Sequence, residues 1–338
     1  MIEAMEVSTL PCLILLENVI GFELSGIHTE TQHASDIETN QQQQSRRGSF
    51  QTFRNVLAQR QYSVAHFHLD PTDVGIPNAR PRHYTIAFRP GSLHARIKDG
   101  SISVQLKALC NLASNDYDNL FTNENLEKAP IIHGPQSLGT KPLPLPCIGD
   151  FLDASCKDEP LLRIPEKVWS SSSAWCFDVV TSNDVRSACF THSYGKFVRG
   201  TGSILYTRPL DTDESADSNG EKNGNRKRDR STAFLASTRF DLKTPEGRHF
   251  DAEWSKDIDW EKEMRYLSGT EIARLMGFPV ARPAAGTSVD GDMDESYRKF
   301  SFPGTTTPKQ QWKLLGNSLN VKVAGMMAEI GVKCLLLK

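Results

Sequence analysis

No two of the seven cysteines form a C-x-x-C pair, and their number is odd. That scatter argues against a zinc site or a disulfide framework. It points to reduced thiols in a protein of the cytoplasm or nucleus, and no metal site is expected. Also missing is any apolar run near the ~18–20 residues that a membrane span requires. Residues 1–16 carry two glutamates and no basic stretch, so neither a membrane segment nor a signal peptide is expected. Positive charge is not in excess either: 39 Lys and Arg stand against 41 Asp and Glu, for a net charge of −2. Any nucleic-acid partner would therefore need a local basic cleft. No internal repeat is visible. What remains is 338 residues, 38% hydrophobic and 24% charged, the make-up of a soluble globular protein with room for a large core.

Leu13 to Leu16 form an apolar run ending in Glu17-Asn18-Val19. A short run without alternation suits a buried parallel strand, and its polar end is where open α/β sheets carry their chemistry. A helix is predicted over Phe53–Arg60 and strands over Val64–Leu69 and His83–Phe88, with a turn-rich loop Asp70–Arg82 between the strands. This order fits part of a doubly wound α/β sheet. Residues 28–49, with four consecutive glutamines, read as a polar insertion, and 211–230 as a disordered loop. Between 91 and about 260 the prolines cluster and strand-like pieces are short, as in a less regular second domain. A helix capped by Ser268 or Thr270 follows, stopped by Gly277-Phe278-Pro279. The last helix, about 319–336, carries Val323, Met326, Met327, Ile330 and Cys334 on one stripe.

Three constellations could carry chemistry. Glu17 at a strand end is partly desolvated and can keep or share a proton; it can equally be a strand-end acid accepting from nearby amides. Arg80 and Arg82, in Gly75-Ile-Pro-Asn-Ala-Arg-Pro-Arg82, are stiffened by the proline between them. One can face a ligand while the other braces the loop, or both can belong to a solvated basic turn. Leu315-Gly316-Asn317-Ser318-Leu319-Asn320 offers small polar residues at a helix start, suited to capping or to holding a ligand.

Taken in order, LILLENVIGFELS, LDPTDVGIPNARPRHYTIAF, RYLSGTEIARLMGFP and KLLGNSLNVKV resemble successive late motifs of the cytosine-5 methyltransferases. Cys189-Phe-Thr-His-Ser-Tyr-Gly-Lys-Phe-Val-Arg-Gly-Thr-Gly-Ser203 resembles the CFT…YG…GTGS signature of the tRNA branch. Asn78 agrees with that branch, which tends to read GIPN-x-R where DNA-modifying relatives carry glutamine. The resemblance runs from about residue 10 to 335. It implies a Rossmann-like S-adenosylmethionine-dependent catalytic domain at 1–90 and 261–338, around a target-recognition domain at 91–260.

The resemblance also implies roles. In the family a thiolate attacks ring carbon 6 of a flipped cytosine, and carbon 5 then takes the methyl group. Glu17 matches the acid that protonates the ring nitrogen, which stabilises the negative charge that builds up on attack. Arg82 matches the contact to the cytosine carbonyl oxygen, and Arg80 the brace for the loop around the nucleophile. Asn317 and Ser318 match the element lining the S-adenosylmethionine pocket. Asn78, Cys189, Phe190, Thr191, Tyr194 and Gly195 are implied substrate contacts, on a cytosine in a tRNA anticodon loop. A DNA cytosine-5 methyltransferase and a non-catalytic nucleic-acid-binding remnant are the alternatives.

Two departures stand beside these matches. The family's nucleophile lies in a Pro-Cys-Gln loop well upstream of the ENV strand, whereas Pro11-Cys12 abuts that strand. Leu24-Ser25-Gly26-Ile27 is similar to the family's F-S-G-I-G-G loop but follows ENVIGFE and lacks the later glycines. The expectation is a chain truncated at its N-terminus relative to the family and inactive as it stands, with one wall of the cofactor site.

Overall fold

The computed structural model describes residues 5–6, 10–24, 48–89, 131–134, 144–171, 173–207, 259–280 and 300–337. The loop at 211–230 and nearly all of the insertion at 28–49 lie outside the described residues. The chain divides into two compact units, Met1–Val74 with Pro81–Leu143 and Lys322–Lys338, and Gly75–Arg80 with Pro144–Val321. The stretch expected to return as one piece at 261–338 is thus shared between units, with the division at the start of the last helix.

The first unit is built on strands β1 (Leu13–Val19), β2 (Ser63–Leu69), β3 (Arg82–Phe88) and β4 (Ile131–His133). Their order in the sheet is β1-β3-β2-β4, with β3 antiparallel to both neighbours and β2 parallel to β4. Alternation along β2 and β3 sends their apolar residues to two different layers. Phe67, Leu69, Tyr84, Ile86 and Phe88 meet Val323 and Met327 of the last helix, α4 (Val321–Leu337). On the other face Val64 and Ala87 meet Leu57 of the first helix, α1 (Ser49–Gln59). Each fully buried large side chain contributes roughly 1.5–3 kcal/mol. Helices cover both faces of one sheet, the layering expected of an α/β fold, although two of its three strand pairings are antiparallel.

β1 departs from what its apolar run suggests. It is not a buried parallel strand: it pairs antiparallel with β3 alone among the described residues, and Leu15 is 44% exposed. Both faces are partly covered, with Leu13 against the α4 layer and Ile14 against the α1 layer, each half-buried. The α4 side is closely packed, since a Cβ on Gly331 would lie 2.8 Å from a Leu13 methyl carbon. On the predicted stripe of α4, Val323 and Met327 are buried and Met326 and Ile330 pack beside them. No helix among the described residues is long and apolar enough to cross a membrane.

The second unit carries a three-stranded sheet of β5 (Asp178–Val180), β6 (Ser203–Tyr206) and β7 (Met264–Tyr266). Two helices pack with it, α2 (Gly269–Leu275) and α3 (Pro308–Gly316). Ser268, not Thr270, caps α2: its side chain accepts from the Glu271 N–H while the Glu271 carboxylate accepts from the Ser268 N–H. Glu271 is fully buried and also makes a bidentate pair with Arg265, at 2.8 and 2.7 Å. The core is aromatic. Tyr194 stands edge-on to Phe190, Tyr266 and Trp312, with ring centroids 5.2–5.3 Å away. Its hydroxyl donates to the Ser203 carbonyl and accepts from the Leu267 N–H, and burial holds its pKa well above the ordinary value.

Candidate functional site

Glu17 and Arg82 meet within the first unit. In the β1–β3 register Glu17 is opposite Tyr84 and Val19 opposite Arg82. Glu17 and Arg82 are therefore diagonal neighbours on one face, close enough for side chains of their length to touch. Arg82 Nε lies 3.1 Å from Glu17 Oε1, with both side chains partly accessible. A second guanidinium nitrogen of Arg82 donates to the Pro81 carbonyl, which fixes the direction of the group. The pair offers a carboxyl group and a fixed hydrogen-bond donor side by side at a strand end.

Arg80 belongs to the second unit and works differently. It is 5% exposed, and its guanidinium donates to the carbonyls of Phe190 at 2.9 Å and Ser318 at 2.5 Å. It also donates to Cys189 Sγ at 3.3 Å. One side chain thus ties together GIPN-x-R, the CFT loop and the LGNS element. Asn78 is fully buried beside it, donating to Ser187 Oγ and the Ala188 carbonyl.

The glycines of these motifs have steric reasons. A Cβ on Gly316 would fall 2.0 Å from the His192 nitrogen and 2.1 Å from the Thr191 carbonyl carbon, so α3 ends with the CFT backbone lying across it. Gly195 has φ +72° and faces the Trp312 ring. Asn317 is not at the start of the last helix: it closes α3 as its C-cap. That leaves its side chain exposed, while Ser318 is half-buried.

The structure therefore brings Arg80, Cys189, Phe190 and Ser318 together, and separately Glu17 with Arg82. Of the expected substrate contacts, Asn78, Phe190 and Tyr194 are buried in packing, whereas Cys189, Thr191 and Gly195 are half-buried. The accessible part of the same loop consists of residues that the sequence reading passed over: His192, Lys196, Phe197 and Arg199 are all exposed. Phe197 is 58% exposed, and Lys196 Nζ lies 5.1 Å from its ring centroid. A solvent-facing aromatic ring among cations was the available signal. Also unforeseen is a cluster in the first unit, where Glu23 Oε1 lies 3.1 Å from His68 Nε2 and Glu23 Oε2 lies 3.6 Å from His83 Nδ1.

One unit is thus a sheet covered by helices on both faces, and the other has an aromatic core against which the CFT loop packs. Residues 8–331 match the C-5 cytosine-specific DNA methylase family, and the chain belongs to it. It is 26% identical to a DNA (cytosine-5)-methyltransferase of Dictyostelium discoideum, over 95% of this chain and 65% of that protein. It is 29% identical to the tRNA (cytosine(38)-C(5))-methyltransferase of Mus musculus, over 95% of this chain and 67% of that protein. Among solved structures, the Dnmt2 methyltransferase of S. pombe superposes with a TM-score of 0.51 at 22% identity, covering 97% of this chain and 68% of that one. The chain thus spans about two thirds of the length of these relatives.

Proposed function

We propose that the protein is a homologue of the S-adenosylmethionine-dependent cytosine-5 methyltransferases acting on tRNA, at a cytosine of the anticodon loop, and that its 338 residues are inactive by themselves. The observation that carries this reading is the Glu17–Arg82 pair, 3.1 Å apart at the end of β1 and β3. The cytosine edge presents a carbonyl oxygen next to a ring nitrogen. A fixed guanidinium donor beside a carboxyl group suits those two adjacent atoms. Arg82 binds the carbonyl oxygen, and Glu17 holds a proton at the ring nitrogen, where it offsets the charge that thiolate attack pushes into the ring. S-adenosylmethionine supplies the methyl group, and the exposed Asn317 with Ser318 contributes polar wall to its site. Arg80 acts at one remove, keeping the CFT loop and Ser318 in place.

Recognition of RNA is supported by the exposed Phe197, Lys196 and Arg199. Unstacked bases are held by stacking on aromatic rings, with cations near the backbone. A DNA duplex is the second reading, favoured by the Dictyostelium relative described as a DNA (cytosine-5)-methyltransferase. Methyl transfer to a tRNA transcript measured against a DNA duplex, in a form that carries the family's Pro-Cys and glycine loops, separates them. The role of Glu17 is tested in a form of the protein that carries the family's Pro-Cys and glycine loops. There Glu17→Gln should slow turnover by about 10²–10³ while leaving S-adenosylmethionine binding intact. Cofactor binding abolished, with turnover of bound substrate unchanged, would remove the assignment.

A further inference from the structure

β2 and β3 place His68 directly opposite His83, so the two imidazoles share one face of the sheet. Glu23 reaches the same spot from the 3₁₀ turn Phe22–Leu24 that follows β1. We propose that Glu23, His68 and His83 form a binding site for a divalent transition-metal ion of the zinc class. The three ligand atoms all lie within 4.8 Å of one another. A tetrahedral zinc ion with ligands at ~2.0–2.1 Å needs neighbouring ligand atoms about 3.3 Å apart, a spacing these side chains reach with small torsional adjustments.

The polar atoms that face one another here suit a shared cation. His83 is fully buried, yet its Nδ1 has no hydrogen-bond partner, while His68 Nε2 lies 3.1 Å from the Glu23 carboxylate. The other nitrogen of His83 lies 3.1 Å from Thr85 Oγ1, which is 2.8 Å from His66 Nδ1. In one of the two proton arrangements open to this chain, the one a bound cation would select, His83 Nε2–H donates to the threonine oxygen and the threonine hydroxyl donates to His66. A bare lone pair on His83 Nδ1 then faces a carboxylate oxygen 3.6 Å away with no proton between them. A metal ion resolves that opposition. Thr85 meanwhile orients the imidazole from behind, as outer partners of metal-bound histidines do.

The carboxylate is steadied by the Gly21 N–H, 3.1–3.2 Å from its oxygens, and the rings of Phe22 and Phe50 stand edge-on to His83. His133, opposite His68 on β4 with ring centroids 4.9 Å apart, is the nearest further imidazole. Two imidazoles and one carboxylate select zinc, cobalt or iron(II) over calcium or magnesium, which require mostly oxygen ligands. The cluster lies on the sheet face covered by α1, whereas Glu17 and Arg82 lie on the α4 face. The ion is therefore structural, clamping the turn after β1 to β2 and β3, and the inference does not depend on the proposed methyl transfer.

The test uses the full chain stripped by a chelator and titrated with zinc against a chromophoric competitor. A parallel titration with cobalt(II) is followed by its visible bands. One equivalent should bind, cobalt should give the intense bands of a low-coordinate site, and zinc should raise the unfolding temperature. Glu23→Gln keeps the shape of the side chain and should weaken zinc binding by at least about 10²-fold, with the thermal shift lost. If Glu23→Gln does not unfold cooperatively, His68→Gln, at a partly accessible position, serves instead. A wild-type chain that takes up no zinc would overturn the proposal. So would variants that bind zinc as tightly as the wild type, which would place the ion on other residues, or calcium competing on equal terms.

Discussion

Arg80 and Arg82 stand two residues apart and do different work. Strand alternation alone would put positions i and i+2 on one face. They part because β3 begins only at Arg82, leaving Arg80 in the preceding loop among carbonyl groups. Arg80 is buried with charged hydrogen bonds to backbone acceptors, each contributing about 1.5–3 kcal/mol. Lysine cannot span those acceptors with one ammonium. Arg80→Lys should therefore destabilise the protein by about 2–3 kcal/mol in urea unfolding. Arg82→Lys should cost under about 1 kcal/mol, because its pair with Glu17 is partly accessible. Equal losses in the two variants would mean that Arg80 is not the brace described.

The ending of α3 puts the same question to a whole element. Gly316→Ala would drive a methyl group into the backbone of Thr191 and His192. Backbone yields less readily than a side-chain end, so a loss of about 3 kcal/mol, the upper end for overpacking, is expected. Gly200, with φ +67° and nothing within 4 Å, is the control: alanine there should cost only the ~1–2 kcal/mol of the left-handed backbone. A Gly316→Ala variant as stable as the control would mean that the CFT backbone does not cross the end of the helix. This element also shows where the sequence was hard to read. LGNS was legible as a motif and as the neighbour of a helix, but it was assigned to the start of α4. α3 itself went unseen, because only Trp312 and Leu315 of its nine residues are buried. β1 was recognisable as a strand from Leu13–Leu16, but a hydropathy run does not reveal how many partners a strand has. The Glu23–His68–His83 cluster was invisible for a different reason. Its members are joined by strand register and a turn, and no spacing along the chain announces that.

Across the whole molecule, 39 basic residues face 41 acidic ones, so long-range attraction to RNA is weak and binding must rest on a few local contacts. Lys196 and Arg199 are exposed on either side of Phe197, and under the proposed function they sit where an unpaired loop would be held. Each phosphate neutralised on single-stranded RNA contributes about −0.7 to the slope of log K against log salt. Changing both Lys196 and Arg199 to alanine should therefore flatten that slope by about 1.4. Phe197→Ala should leave the slope unchanged and weaken binding at every salt concentration by about 1–3 kcal/mol, the worth of one stacked base. Nitrocellulose or anisotropy binding with a tRNA anticodon-loop oligonucleotide, repeated from low to moderate salt, separates the two effects. If the double variant kept the full slope and Phe197→Ala kept the full affinity, RNA would be held elsewhere on the protein. A changed slope in Phe197→Ala alone would mean that the ring acts by positioning Lys196, whose ammonium lies 5.1 Å from it, and not by stacking.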